Sequence, residues 1–300
     1  MRIGIFAGGL TGRSSSVAAA IEVAQQAADD GFASLWVPQI FSVDALTTLA
    51  VVGHAVPGIQ LGTAVVPTYP RHPIALAQQA LTVQSASGGR LTLGIGLSHQ
   101  MVIENMYGYS FEKPVRHMRE YLEALMPLLR GEGASVSGEA VTAHAALDFA
   151  DAPAPDVLVA ALGPKMLELA ATVTAGTITW MTGPVTLAEH TVPTLTKAAG
   201  DRPMRVVTGL PVCVTDDTAG AKELAAKAFE VYGILPSYRA MLDREGAEGP
   251  ADVAIIGDEA AVRAGVDRLR QAGVTEFAAV EFHPGDTESQ RTRELLKALL

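Results

Sequence analysis

Short runs of aliphatic and β-branched residues alternate along this chain with longer stretches in which apolar positions return every three or four residues. The short runs fall at residues 2–7, 34–37, 59–65, 90–96, 156–161, 177–181, 205–215 and 276–282 and predict eight strands. Helical periodicity follows each of them, over 17–30, 45–55, 74–87, 113–130, 166–175, 186–199, 218–244 and 288–300, with a further helix at 258–272 before the last strand. Asp44 stands where a helix N-cap belongs, Pro73 at a first helical turn, and Gly88-Gly89 at a helix stop. Alternating strands and helices imply a parallel sheet, and eight such units predict an α/β fold of the (β/α)8 TIM-barrel kind. A doubly wound open sheet is the rival, but Gly8-Gly9-Leu10-Thr11-Gly12 lacks the G-x-G-x-x-G spacing that such a sheet carries at its first turn.

One segment breaks the rhythm. Residues 131–155 are small, polar and poorly periodic, and are read as an insertion before strand five, with a hairpin around Ser137-Gly138-Glu139. It is not read as a boundary, so residues 1–300 are expected to form one barrel domain.

Composition narrows the partners. Hydrophobic residues make up 49% of the chain and aromatic ones only 5%, as suits a sheet buried on both faces. The formal net charge of −10 argues against nucleic acid and anionic membrane surfaces. Cys213 is the single cysteine, which excludes an internal disulfide and a multi-cysteine metal site. It lies in an apolar run and is expected to be a buried hydrophobe. Nothing approaches the ~20 consecutive apolar residues of a membrane span, and Met1–Phe6 run straight into a strand with no signal-peptide core. A cytoplasmic protein is expected, with no metal. No G-x-S-x-G, H-E-x-x-H or Walker A pattern supports hydrolase or nucleotide-triphosphatase chemistry.

A barrel of this kind carries its site at the C-terminal ends of its strands, which limits the candidates. Gly163-Pro164-Lys165-Met166, just after Leu162, joins a glycine, a helix N-terminus and a cation: an anion site, or else an ordinary strand-to-helix turn. Trp180, Met181 and Thr182 follow strand six and would form the second face of that pocket. Ser98-His99-Gln100 follow strand four, so His99 is either a proton relay or ring contact, or a loop histidine. His283 follows strand eight and either reaches the barrel mouth or, the reading favoured by its residues alone, is an ordinary loop histidine; His54 is expected to pack within its helix, and His72 to organise a turn.

The stretches LGTAVVP (61–67) and RHPIALAQQALTVQSASGGRLTLGIG (71–96) resemble the signature of the bacterial-luciferase-like flavin and deazaflavin oxidoreductases, most of all the actinobacterial branch that uses coenzyme F420. The resemblance extends over nearly the whole chain. It implies coenzyme F420, a 5-deazaflavin, as cofactor, with FMN as the alternative, and hydride transfer between the deazaflavin C5 and a small organic substrate. It places a bulge with a cis peptide at Thr63-Ala64-Val65 against the middle of the ring. Gly163–Met166 matches the phosphate loop ALGPK, with Thr182 assisting. Ser98, Gln39 and His99, the catalytic candidate, would border ring or substrate. Gln39 departs from relatives that oxidise alcohols or sugars, where an acid or histidine stands, and glutamine cannot act as a base. A homodimer is expected. An FMN-dependent monooxygenase, or a barrel that binds a ligand without catalysis, are the alternatives.

Overall fold

The structure is a computed structural model that describes residues 1–8, 15–149, 151–282 and 284–300. Eight strands carry the fold: β1 (Arg2–Phe6), β2 (Ser34–Val37), β3 (Gln60–Thr63) with its continuation β4 (Val66–Pro67), β5 (Leu91–Gly96), β8 (Asp156–Val159), β9 (Gly176–Trp180), β10 (Arg205–Val214) and β12 (Glu276–Glu281). They pair in the order β10-β12-β1-β2-β3-β5-β8-β9, and β10 pairs again with β9. The ring is closed, and the protein is a (β/α)8 barrel whose neighbouring strands run parallel. The predicted hairpin is present as β6 (Ala134–Ser137) against β7 (Thr142–Ala145).

The chain divides into two compact units. The first comprises Met1–Gly8, Gln26–Trp36 and Ala161–Leu300. Its strands hold one buried acid, Glu276, at the N-terminal start of β12. The carboxylate accepts from Ser34 Oγ (2.6 Å) and Trp36 Nε1 (2.8 Å), is paired with Arg2, and faces Arg205 at 3.5 Å. A buried charge survives only when paired and hydrogen-bonded in this way. Cys213 is fully buried in β10, as expected, and burial pushes its thiol up to about 11. The helices here are α6 (Pro164–Val173), α7 (Pro184–Thr186), a π-helical segment Leu187–Thr191, α8 (Val192–Ala199), α9 (Thr218–Ala228), α10 (Glu230–Ile234), α11 (Pro236–Glu245), α12 (Glu259–Gln271) and α13 (Asp286–Lys297). The single helix expected over 218–244 is therefore three, broken at Phe229 and Leu235. A short strand, β11 (Ile255–Gly257), not anticipated, pairs with β10.

The described part of the second unit runs over 15–25, 37–149 and 151–160, with α1 (Val17–Asp29) starting in it, then α2 (Ala45–Ala55), α3 (Pro73–Ala86), α4 (Gln100–Asn105) and α5 (Pro114–Leu129). Asp44 caps α2, accepting from the Thr47 N–H at 2.8 Å. Met118, Tyr121, Leu122, Leu125, Leu128 and Leu129 form the buried face of α5, as the periodicity requires. His54 differs from expectation: it is exposed in the last turn of α2, because Gly53 takes the inward position against Ser87 and Leu61. The loop expected after strand one falls largely on residues 9–14, and His283 is single; both lie outside the described residues. Among the described residues no cluster of three or more metal-ligating side chains occurs, and no helix is long and apolar enough to cross a membrane.

Candidate active site

In the second unit the site begins with a register fault. Gly62 pairs with Thr92 and Val66 with Ile95. Four steps separate the first of each pair and three the second, so one residue is extra: a β-bulge at 63–65. Within it the Ala64–Val65 peptide is cis, where the resemblance implied it. The bulge is pinned from below. Thr63 Oγ1 donates to the Gly94 carbonyl (2.7 Å) and accepts from the Gly94 N–H (2.9 Å), both in the buried interior. The Ala64 N–H donates to the Val37 carbonyl at the end of β2 (2.9 Å).

The two glycines of LGIG make room for this. A Cβ at position 94 would overlap the Thr63 carbonyl, and one at position 96 would lie 2.7 Å from Val65 Cγ2 and 3.1 Å from Ala160 Cβ. Ala64 and Val65 remain half-exposed and form a backbone step at the C-terminal end of the strand.

Beside it, two residues after β5, Ser98 holds φ at +62°, a left-handed conformation that non-glycine residues keep chiefly where surroundings enforce it. His99 then stands at the N-cap of α4 without using its side chain to cap it. Burial holds the His99 imidazole below its ordinary value, so it is neutral at pH 7 and offers an N–H rather than a charge. Gln39 is committed elsewhere in part: its Oε1 accepts from the Ala45 N–H at 2.7 Å, adding to the start of α2. His72 does what was expected of it, capping α3 through Nδ1 and meeting the Thr142 carbonyl through Nε2 at 2.9 Å.

Two residues here escaped the sequence reading. Tyr69 follows β4 and stacks face to face on His117, with ring centroids 3.9 Å apart and planes 4° from parallel. Its hydroxyl is buried without a hydrogen-bond partner among the described residues, and burial pushes it up to about 12. His117 Nε2 meets Thr68 Oγ1 at 3.0 Å, and burial pushes that imidazole down to about 4. Thr68 and Tyr69 lie between Pro67 and Pro70, where no periodicity marks them in the sequence.

In the first unit two α-helices open with the dipeptide Gly-Pro, and they differ in how that start is capped. Gly163 is the N-cap of α6, Pro164 its first residue, and no side chain caps it. A Cβ on Gly163 would meet nothing within 4 Å, and Lys165 is exposed beside it. The Leu162 carbonyl is held by His190 Nε2 at 2.8 Å, which fixes the loop from behind, and Met166 turns inward as a buried anchor. A helix start without a side-chain cap, its dipole and an exposed lysine are the features that can receive an anion.

Gly183-Pro184 starts the second helix, but there the Val185 and Thr186 N–H groups donate to the Glu245 carboxylate of α11 (3.1 and 2.7 Å). That helix start already has its anion. Thr182 is fully buried and donates to the Trp180 carbonyl (3.2 Å), and Met181 is buried with φ at +51°. Trp180 lies in an aromatic cluster with Phe6, Phe229 and Tyr232.

The residues thus provide a rigid backbone step, neutral donors beside it, and a cationic helix start with room above it. Comparison with known proteins agrees with the fold and with the signature. A model of the luciferase-like monooxygenases matches residues 1–284. A putative coenzyme F420-dependent oxidoreductase of Mycobacterium tuberculosis is 33% identical over 172 residues, covering 52% of this chain and 49% of that protein. The match thus spans about half the length of that relative. The 5,10-methylenetetrahydromethanopterin reductase of Methanolobus tindarius is 30% identical over 241 residues, covering 78% of this chain and 72% of that one. Among solved structures, the coenzyme F420-dependent tetrahydromethanopterin reductase of Methanopyrus kandleri superposes with a TM-score of 0.80 at 20% identity, over 99% of this chain and 97% of its own. The chain belongs to the luciferase-like monooxygenase family.

Proposed function

We propose that this protein is a coenzyme F420-dependent oxidoreductase that moves a hydride between the deazaflavin and a small organic substrate. The observation that carries the reading is the bulge at Thr63–Val65, locked to Gly94, in a chain that also keeps an open cationic helix start at Gly163–Lys165. The name of the Mycobacterium tuberculosis relative supports F420 over FMN. The donor set suits the cofactor: the anion seat takes a phosphate, and the step formed by Ala64 and Val65 suits the face of a flat ring.

When bound, the deazaflavin supplies or accepts the hydride at C5. The chain does the rest. Thr63, Ala64 and Val65 buttress the ring, and Leu162 to Met166 form the phosphate seat, with the Gly163 and Lys165 N–H groups and the Lys165 ammonium as its donors, since Pro164 has no N–H and that of Met166 donates to the Gly163 carbonyl. Thr182, Met181 and Trp180 shape the neighbouring strand end without lending it a charge. Ser98, His99 and the amide of Gln39 border the ring. A neutral His99 donates a hydrogen bond and orients substrate oxygen; at pH 7 it holds no spare proton. Exposed apolar residues in the second unit, Ile40, Phe41, Met101 and Met106, support a homodimer.

A fluorescence titration with F420, run beside FMN, tests the reading. Micromolar or tighter binding of F420, with FMN much weaker, is the expected outcome. Tighter FMN binding would replace it with an oxygen-activating monooxygenase, and failure of both would remove the enzyme assignment. Light scattering would decide the dimer.

A further inference from the structure

Six of the chain's aromatic side chains gather in one place in the first unit. Phe6 ends β1, Trp180 ends β9, and Phe282 directly follows β12; Phe229, Tyr232 and Tyr238 come from α9–α11. The rings form a continuous path. Phe282 lies 5.6 Å from Phe229, which lies 5.9 Å from Trp180. Trp180 is 5.7 Å from Tyr232, which is 5.1 Å from Tyr238, and Phe6 sits 5.5 Å from the indole. In a chain with only 16 aromatic residues this is a concentration, and it stands at strand C-terminal ends, where barrels build their sites.

The broken helix explains how it forms. In one uninterrupted helix at about 100° per residue, Phe229 and Tyr238 would point in opposite directions. The breaks at Phe229 and Leu235 turn the chain so that Tyr238 meets Tyr232 edge-on, at 85°. All six side chains stay only partly buried. Aromatic side chains gathered at strand ends and left partly accessible are the apolar lining that ligand sites use. The near-perpendicular walls on Trp180, both at 74°, present a face and two edges, the arrangement into which another flat ring packs. Both phenols are held protonated by burial, so the wall carries no charge.

We propose that this basin is the substrate-side wall of the site and selects an uncharged, flat, aromatic or conjugated substrate. The inference rests on the oxidoreductase reading for its chemistry but not for its test. The probe is 2-acetylnaphthalene, compared with cyclohexyl methyl ketone and with 2-naphthoate, titrated into the cofactor-free protein by calorimetry. Tryptophan fluorescence lifetime gives a second readout, because Trp36 is buried and Trp180 is the only other tryptophan. The naphthyl ketone should bind at least tenfold tighter than either comparison compound and shorten the Trp180 lifetime. Phe229→Leu and Tyr232→Leu should each weaken it about tenfold, while Tyr232→Phe, which keeps the ring, should restore it to within twofold. F420 titrated into the same variants should bind as before. Equal affinity for the three probes, or leucine variants that bind the naphthyl ketone unchanged, would overturn the proposal. Naphthyl ketone binding in a protein that ignores F420 would uphold the basin and sink the oxidoreductase reading instead.

Discussion

Replacing Thr63 by valine is the sharpest probe of how the bulge is held. The two side chains have the same shape, and Thr63 is fully buried, so packing barely changes. What is lost is an oxygen that serves both backbone groups of Gly94, at 2.7 and 2.9 Å. Each buried group left without a partner costs about 1–3 kcal/mol, so with two such groups Thr63→Val should destabilise by about 2–6 kcal/mol. Thr63→Ser keeps both hydrogen bonds and loses one methyl, about 1 kcal/mol. Urea unfolding at fixed pH measures both. If the bulge forms the ring's backing, the valine variant should also bind F420 at least tenfold more weakly while still folded, and the serine variant should stay close to wild type. A valine variant within about 0.5 kcal/mol of wild type would refute the reasoning, as would a serine variant as damaged as the valine one.

Lys165→Ala should weaken F420 about ten- to a hundredfold at low salt, the worth of a charge-assisted contact, and leave a deazaflavin core without phosphate untouched; equal losses for both ligands in parallel titrations would place Lys165 outside the anion seat. Glu276→Ala removes the acceptor of Ser34 and Trp36 and the partner of Arg2, and should cost about 3–5 kcal/mol in a thermal or urea melt; a loss below 1 kcal/mol, on the order of a surface pair, would show the network to be dispensable. His117 gives a pH dependence. Above its unfolded value near 6.5 it is neutral in both states and contributes no slope; between there and its folded value of about 4 only the unfolded chain takes up the proton. Stability should therefore fall with falling pH across that window, by up to about 1.4 kcal/mol per unit. His117→Phe should flatten the slope by that share, and identical slopes in the two proteins would refute it.

How much of this could be read beforehand depended on how local each signal was. All eight barrel strands were legible because each is a compact β-branched run between breakers, and α2 matched from Ala45 to Ala55 because Asp44 starts it and Val56-Pro57-Gly58 ends it. The bulge was not legible from residues 59–65, since an extra residue exists only relative to the partner strand. The six-residue α4 carries too few turns for periodicity, and the three-residue β11 is too short to stand out. Pro236 did mark the start of α11, yet the apolar positions of 218–244 ran on through it. Gly163-Pro164-Lys165 showed its helix start in its own residues, because Gly and Pro mark an N-cap and a first turn. The aromatic basin had no such mark, because Phe6 and Phe282 are brought together only by closing the chain's ends on each other.

The paired Gly-Pro helix starts carry a lesson about how this fold allocates charge. At Gly183-Pro184 the chain supplies its own anion, the carboxylate of Glu245, while the Gly163 start has no side-chain cap. If a phosphate is received at Gly163, the two starts divide one task between an internal carboxylate and an external ligand. Glu245→Gln, which removes the internal charge, should then loosen the hold of α11 on the Val185 and Thr186 N–H groups, some sixty residues back along the chain.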